Sequence, residues 1–216
     1  MVRSSRCENC GALAVPTALC RYCGAVARTE DLVAAGFGDG DDAFGVMRDA
    51  AGVRVSILGT RALRVEVPPQ FGVGPAVIGC AWTRGVFVDL DVSAAVRFEQ
   101  APEGLTAGVW LRSSTANAVC VALSPSGKLS VTTRRDEGRI LEPLGTVAAS
   151  AAFPRGMPLV LRAKVAGAVL TVYRNGWAAM SVACPTDITG GADLVVDAPR
   201  SECGIVVFED ACARLP

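Results

Sequence analysis

Cys7-Glu8-Asn9-Cys10-Gly11 and Cys20-Arg21-Tyr22-Cys23-Gly24 are the residues of this 216-residue chain whose types and spacing most directly spell out a chemistry. Each Cys-x-x-Cys makes a tight turn that aims two sulfurs at one point. The glycine that follows takes the positive φ such a turn needs, which leaves backbone N–H groups to bond the thiolates. The two turns, separated by nine residues, deliver four thiolates, the donor set of a closed tetrahedral Zn2+ site. A redox role is disfavoured, because two such motifs this close together hold a metal better than they exchange electrons. Tetrahedral sulfur also suits iron in a rubredoxin-like site. The expectation is one structural Zn2+ per chain on Cys7, Cys10, Cys20 and Cys23. Arg3, Arg6, Arg21 and Arg28 lie around these cysteines, against Glu8 and Glu30, and offset the net charge of about −2 of a zinc tetrathiolate. Four arginines with Tyr22 as the single aromatic make a thin nucleic-acid footprint, so nucleic acid is not an expected partner.

Elsewhere the chemistry is sparser. There is no histidine, which removes Ser-His-Asp and Cys-His nucleophiles and histidine-ligated metals. Cys80, Cys120, Cys184, Cys203 and Cys212 are scattered and odd in number, as buried thiols in a reducing compartment would be. Asp89/Asp91 and Glu209/Asp210 are the candidate carboxylate pairs. Asp89 and Asp91 alternate onto one strand face, where solvated charge is the ordinary state, whereas adjacent Glu209 and Asp210 diverge and make a poor acid/base pair. Asp39-Gly40-Asp41-Asp42 could attract Ca2+ but lacks the EF-hand loop, and reads as a solvated turn. Lysine plus arginine and aspartate plus glutamate are 21 each, so the whole chain is neither polybasic nor polyacidic.

From Asp31 onward the texture is that of short alternating strands punctuated by Gly, Pro, Asn and Asp. Strands are expected at 53–58, 63–67, 86–92, 107–112, 118–123, 128–133, 159–165, 169–174, 177–182, 193–196 and 204–208. No convincing long helix lies between them, which argues an antiparallel sandwich. Asn175-Gly176 between apolar runs is the preferred two-residue hairpin turn, and Ser124–Lys128 is a Pro-initiated loop. Across Ala166-Gly167-Ala168 the register is open by one residue, so the relative faces of Arg162 and Tyr173 stay open too.

The N-terminal segment resembles the short zinc-ribbon modules of many bacterial proteins, through its four Cys and two Gly. The larger part resembles the concanavalin A-like lectin/glucanase jelly roll, in its laminin-G-like and keto-disaccharide-hydrolase-like branches. The stretches that carry this are Val86–Val92, Ala107–Arg112, Val119–Leu123 with the Ser126-Gly127-Lys128 turn, Leu170–Gly176 and Gly204–Asp210. The expected organisation is therefore mainly β: a zinc ribbon over 1–30 and an antiparallel β-sandwich (jelly roll) over 31–216. Glycosidases of that resemblance use a Glu-x-Asp-x-Glu type strand, which is missing here. The expected role is a non-catalytic binding or adaptor protein with a protein or glycan partner; a self-assembling structural subunit and a carbohydrate-active hydrolase are the alternatives. Arg112, Arg162 and Trp177 are the expected contacts, the arginines as forked donors and the tryptophan as an anchor beyond a hairpin tip. Without an apolar leader or an 18-residue apolar run, the expected location is the cytoplasm, with no membrane partner.

Overall fold

The computed structural model describes residues 5–7, 13–14, 27–28, 32–35, 37, 52–59, 61–69, 76–80, 88–114, 117–136, 140–148, 156–198, 202–214 and 216. Among them no helix is long and apolar enough to cross a membrane, and the regular elements are all β-strands. Three short strands come first: β1 (Ser5–Cys7), β2 (Leu13–Ala14) and β3 (Ala27–Arg28), arranged β2-β1-β3. The rest form two antiparallel sheets. One has six strands, ordered β12-β11-β10-β9-β16-β7, and comprises β7 (Ala76–Cys80), β9 (Thr106–Ser113), β10 (Ala118–Leu123), β11 (Leu129–Arg135), β12 (Ile140–Val147) and β16 (Gly191–Asp197). The other is ordered β15-β14-β13-β8-β17-β6-β5, from β5 (Arg54–Leu58), β6 (Ala62–Val67), β8 (Leu90–Gln100), β13 (Leu159–Ala166), β14 (Val169–Arg174), β15 (Trp177–Ala183) and β17 (Gly204–Arg214). An eighth strand, β4 (Leu32–Ala35), pairs with the C-terminal end of β17.

Alternation builds the core. Leu90, Val92, Ala94, Val96 and Phe98 of β8, with Leu159, Leu161, Ala163 and Val165 of β13, point inward from the larger sheet. Ala107, Val109 and Leu111 of β9, with Val119, Val121 and Leu123 of β10, meet them from the smaller one. Each fully buried Val or Leu contributes roughly 1.5–3 kcal/mol against conformational entropy. The hairpin turn at Asn175-Gly176 forms as its residues dictate, with positive φ at both positions, 51° and 84°.

The structure moves several expected boundaries. The strand expected over 86–92 begins at Leu90 and runs on to Gln100. Strands β4, β7 and β12 were not expected; β12 contains Pro143 and Gly145, residues that sequence reading treats as strand breakers, and as an edge strand it tolerates both. Strand β17 continues past Phe208 to Arg214 through a register shift between Glu209 and Cys212.

Candidate functional site

Arg112 does not face a partner. It is fully buried, and its φ is +50°. Across from β9, Ala192 pairs with Leu111 and Gly191 with Ser113, so Arg112 is the extra residue of a β-bulge. Strict alternation would put residue 112 on the same outer face as Trp110; the bulge turns it inward instead. Its Nε donates to Val88 O at 2.7 Å and Nη2 to Gly167 O at 2.7 Å, while Nη1 donates to Pro185 O and lies 3.6 Å from Cys184 Sγ. Three segments at one end of the sandwich are tied to a single guanidinium. Asp89 adds a carboxylate 3.9 Å from Nη2 and accepts Gly167 N–H at 2.7 Å. Asp89 thus precedes β8 rather than sharing a strand face with Asp91.

Arg162 lies on the outer face of the larger sheet, beneath solvent and almost fully consumed. The register pairs Arg162 with Tyr173, which closes the open question of their faces, and the guanidinium sits 5.0 Å from the ring centroid. Its Nε and Nη2 hold Asp91 at 2.9 and 2.7 Å, and Arg214 Nε reaches the same carboxylate at 3.1 Å. Asp91 is only 3% exposed, although it points away from the core. Further along this face runs a chain of charges, Glu66–Arg64–Glu99–Arg97–Glu209. Its links are Arg64 Nη1–Glu66 at 3.3 Å, Arg64 Nε–Glu99 at 3.0 Å, Arg97 Nη1–Glu99 at 2.7 Å and Arg97 Nη2–Glu209 at 2.9 Å. Arg64 and Arg97 flank Val207 in the register and, joined through Glu99, roof it, so this outward valine is buried. The Arg64 hydrogen bond, helped by Arg97 and opposed by partial burial, holds the Glu99 carboxyl below the usual range. Asp210, in the left-handed region at the β17 bulge, is taken by Arg61 at 3.0 Å. Every carboxylate the sequence offered for acid/base work, among the described residues, is engaged by arginine.

The outer face of the smaller sheet is different in kind. Asp193, Trp110, Cys120, Thr132 and Pro143 form one cross-strand row, and Val195, Gly108, Ala122, Ser130 and Thr146 the next. Small side chains dominate the middle. Gly108 is obligatory there, since a Cβ would fall 2.0 Å from Val121 O on the neighbouring strand. Trp110 is buried yet belongs to this outer face, with Ala118, Val195 and Cys120 beside it. The Arg134 guanidinium lies over its ring, 4.9 Å from the centroid, and the Ser113 hydroxyl donates to Asp193. Burial, against a Thr132 hydrogen bond and the Arg134 charge, pushes the Cys120 thiol up to about 11, which makes it an inert packing group. Leu141 stands at the rim, 64% exposed. The Arg134–Trp110 stacking depends on pairing β9, β10 and β11.

Trp177 follows the Asn175-Gly176 turn and is 82% exposed. It pairs with Arg174, whose Nη1 donates to Gly127 O at 2.5 Å, at the opposite end of β14 from the Gly167 turn. The six residues of β14 span about 20 Å. Arg112, Arg162 and Trp177 therefore occupy the interior, an outer sheet face and a hairpin tip, and do not converge. Cys7 ends β1; Cys10, Cys20 and Cys23, like Asp39, Asp41 and Asp42, lie outside the described residues. Cys120, Cys184, Cys203 and Cys212 are not joined in disulfides.

Several solved structures share this architecture. The carbohydrate binding module CBM66 from Bacillus subtilis is similar at a TM-score of 0.55 with 9% identity, over 70% of this chain and 86% of that one. A Bacillus subtilis protein of unknown function with a galectin-like fold gives 0.54 and 12%, over 76% and 86%. A prokaryotic beta-1,3-1,4-glucanase (lichenase) derived from a mouse hindgut metagenome gives 0.53 and 9%, over 84% and 92%. The sandwich has a lectin/glucanase-like jelly-roll fold. No family model and no curated protein matches the chain in sequence. Binders and hydrolases both use this fold, so function has to be argued from the site.

Proposed function

We propose that the protein is a non-catalytic binding module whose sandwich takes a carbohydrate on the outer face of the six-stranded sheet. The contrast between the two outer faces carries this reading. On the larger sheet, arginines and carboxylates neutralise one another. On the smaller, Ser130, Thr132 and Arg134 follow one another along the outer face of β11, Thr146 lies across from Ser130, and a buried tryptophan orients the arginine. Hydroxyls that donate and accept, a forked donor and a small-residue floor match the hydroxyl pattern and apolar C–H face of a sugar ring. The missing histidine and the engagement of Asp89, Asp91, Glu209 and Asp210 support binding without turnover. The test is binding of a mixed-linkage β-glucan, a β-1,3-glucan and a galactoside by wild type, Arg134→Ala and Trp177→Ala. Binding by wild type that falls about tenfold or more in Arg134→Ala and persists in Trp177→Ala is the expected result. Equal binding by a folded Arg134→Ala overturns the face assignment, and release of reducing ends establishes the hydrolase alternative. A protein partner is the second reading, favoured by the exposure of Trp177; capture on wild type but not on Trp177→Ala supports it.

The N-terminal segment is proposed as a structural ribbon binding one Zn2+ through Cys7, Cys10, Cys20 and Cys23. Its topology supports this. Cys7 pairs with Ala27, and β1 runs antiparallel to both β2 and β3. The connection after Cys7, which contains Cys10, and the connection into Ala27, which contains Cys20 and Cys23, thus meet the sheet at one end. Elemental analysis should find one zinc per chain and its loss in Cys10→Ser; zinc kept by a chain beginning at Asp31 counts against the assignment. Cysteines that form no disulfide among the described residues favour a reducing setting such as the cytoplasm.

A further inference from the structure

Strand β15 is an outermost strand of the larger sheet, and β14 is its hydrogen-bonded neighbour among the described residues. None of its seven residues, Trp177–Ala183, is buried, and none is charged or proline. Natural sheets guard such edges with charge, proline or distortion, because an open row of N–H and C=O groups templates further pairing. The other end of the same sheet follows that practice: β5 carries Arg54, paired with Glu66 at 3.7 Å. On the smaller sheet, edge strand β12 carries Glu142 and Pro143. In β15 the only distortion is a bulge at Ala179, which leaves Met180–Ala183 in regular register against Val169–Val172.

We propose that β15 is a self-association edge, on which a second copy of this chain adds its own β15 antiparallel. An isologous contact requires one patch to be complementary to itself, and this strand is. A two-fold axis at Ser181 puts Met180 opposite Val182 of the second copy on the core side, and Ser181 opposite Ser181 on the other. No like charges oppose each other within either pair. On the Ser181 side the row inward is Thr171, whose hydroxyl is 3.0 Å from Ser181 Oγ, and then Lys164. Two Lys164 residues would stand five strand spacings apart, about 24 Å, well beyond the Debye length of about 8 Å. The chain's net charge of zero adds no long-range repulsion. The regular ladder is only four residues long, so the contact is weak and concentration-dependent, below the size of a standard stable interface.

Sedimentation of the full chain from about 1 to about 200 µM tests this. Wild type should rise from one chain mass toward two across the range. Ser181→Lys and Ala183→Lys, both at exposed positions, should stay at one chain mass with unchanged circular dichroism. A wild type that remains monomeric throughout, or folded lysine variants that dimerise as it does, overturns the proposal. The glycan face lies on the other sheet, so either result leaves that reading independently testable.

Discussion

Arg112 shows how one side chain can hold a loop end together. A charge this deep is tolerated because its fork meets three carbonyls in separate directions, with a carboxylate nearby. Its left-handed backbone costs about 1–2 kcal/mol, which those bonds offset. Replacing it with Met should take the shared donor from three carbonyls at that end of the sandwich and lower stability by about 3 kcal/mol or more in urea unfolding. Arg112→Lys should recover only part, having no planar fork. A Met variant as stable as wild type would show that the segments hold themselves. Glu99 predicts a pH effect. Its folded pKa is depressed by Arg64 and Arg97, so between its folded and unfolded values the unfolded chain binds more protons and stability rises with pH. The contribution is complete above about pH 4.3, the unfolded value, and is lost as pH falls through the lower folded one. The gap in melting temperature between wild type and Glu99→Gln should accordingly be widest near neutrality and close toward pH 3.

At the scale of elements, two bulges decide which side chains reach which face. The bulge in β9 sends Arg112 inward, and the one in β17 shifts the phase so that Ala211 and Ala213 join the core while Cys212 and Arg214 pair on the outer face. Without the second bulge Arg214 would point into the core and Asp91 would lose one of its two arginines. Close strand approach makes a further demand at Gly108. Gly108→Ala would set a Cβ 2.0 Å from Val121 O, and backbone cannot yield as a flexible side chain can. The β9–β10 ladder should shift or open, seen as faster amide exchange at Val109 and Val121 and a destabilisation above the roughly 1–3 kcal/mol of ordinary overpacking. Gly176→Ala, at a turn with open space but φ of 84°, should cost only about 1–2 kcal/mol.

For the molecule as a whole, apolar burial holds the sandwich together, and the zinc site proposed above would stabilise the N-terminal segment separately. Among the described residues, the core recruits side chains from both sheets and from Phe37 onward. Stripping zinc with a chelator should therefore unfold the ribbon and leave most of the β-signal in circular dichroism. Collapse of the whole spectrum would mean that the two parts stabilise each other.

The alternation of Val, Leu and Ala against polar residues, with turn residues between, was sufficient for the sandwich and most of its strands, because a strand's side-chain period is two and its buried face must be apolar. Asn175-Gly176 likewise specified its own turn, since few other residues accept two consecutive positive φ angles. Doubled Cys-x-x-Cys-Gly carries the proposal of a metal site by spacing, on cysteines of which only Cys7 lies among the described residues. The faces of Arg112 and Arg214 were not legible, because a bulge reverses alternation and its position is settled by pairing with a distant strand. The same holds for the Asp91 pair of arginines, the Glu66-to-Glu209 chain and the Arg134–Trp110 stack. Each joins residues on different strands, and only the order and register of the assembled sheets bring them within reach.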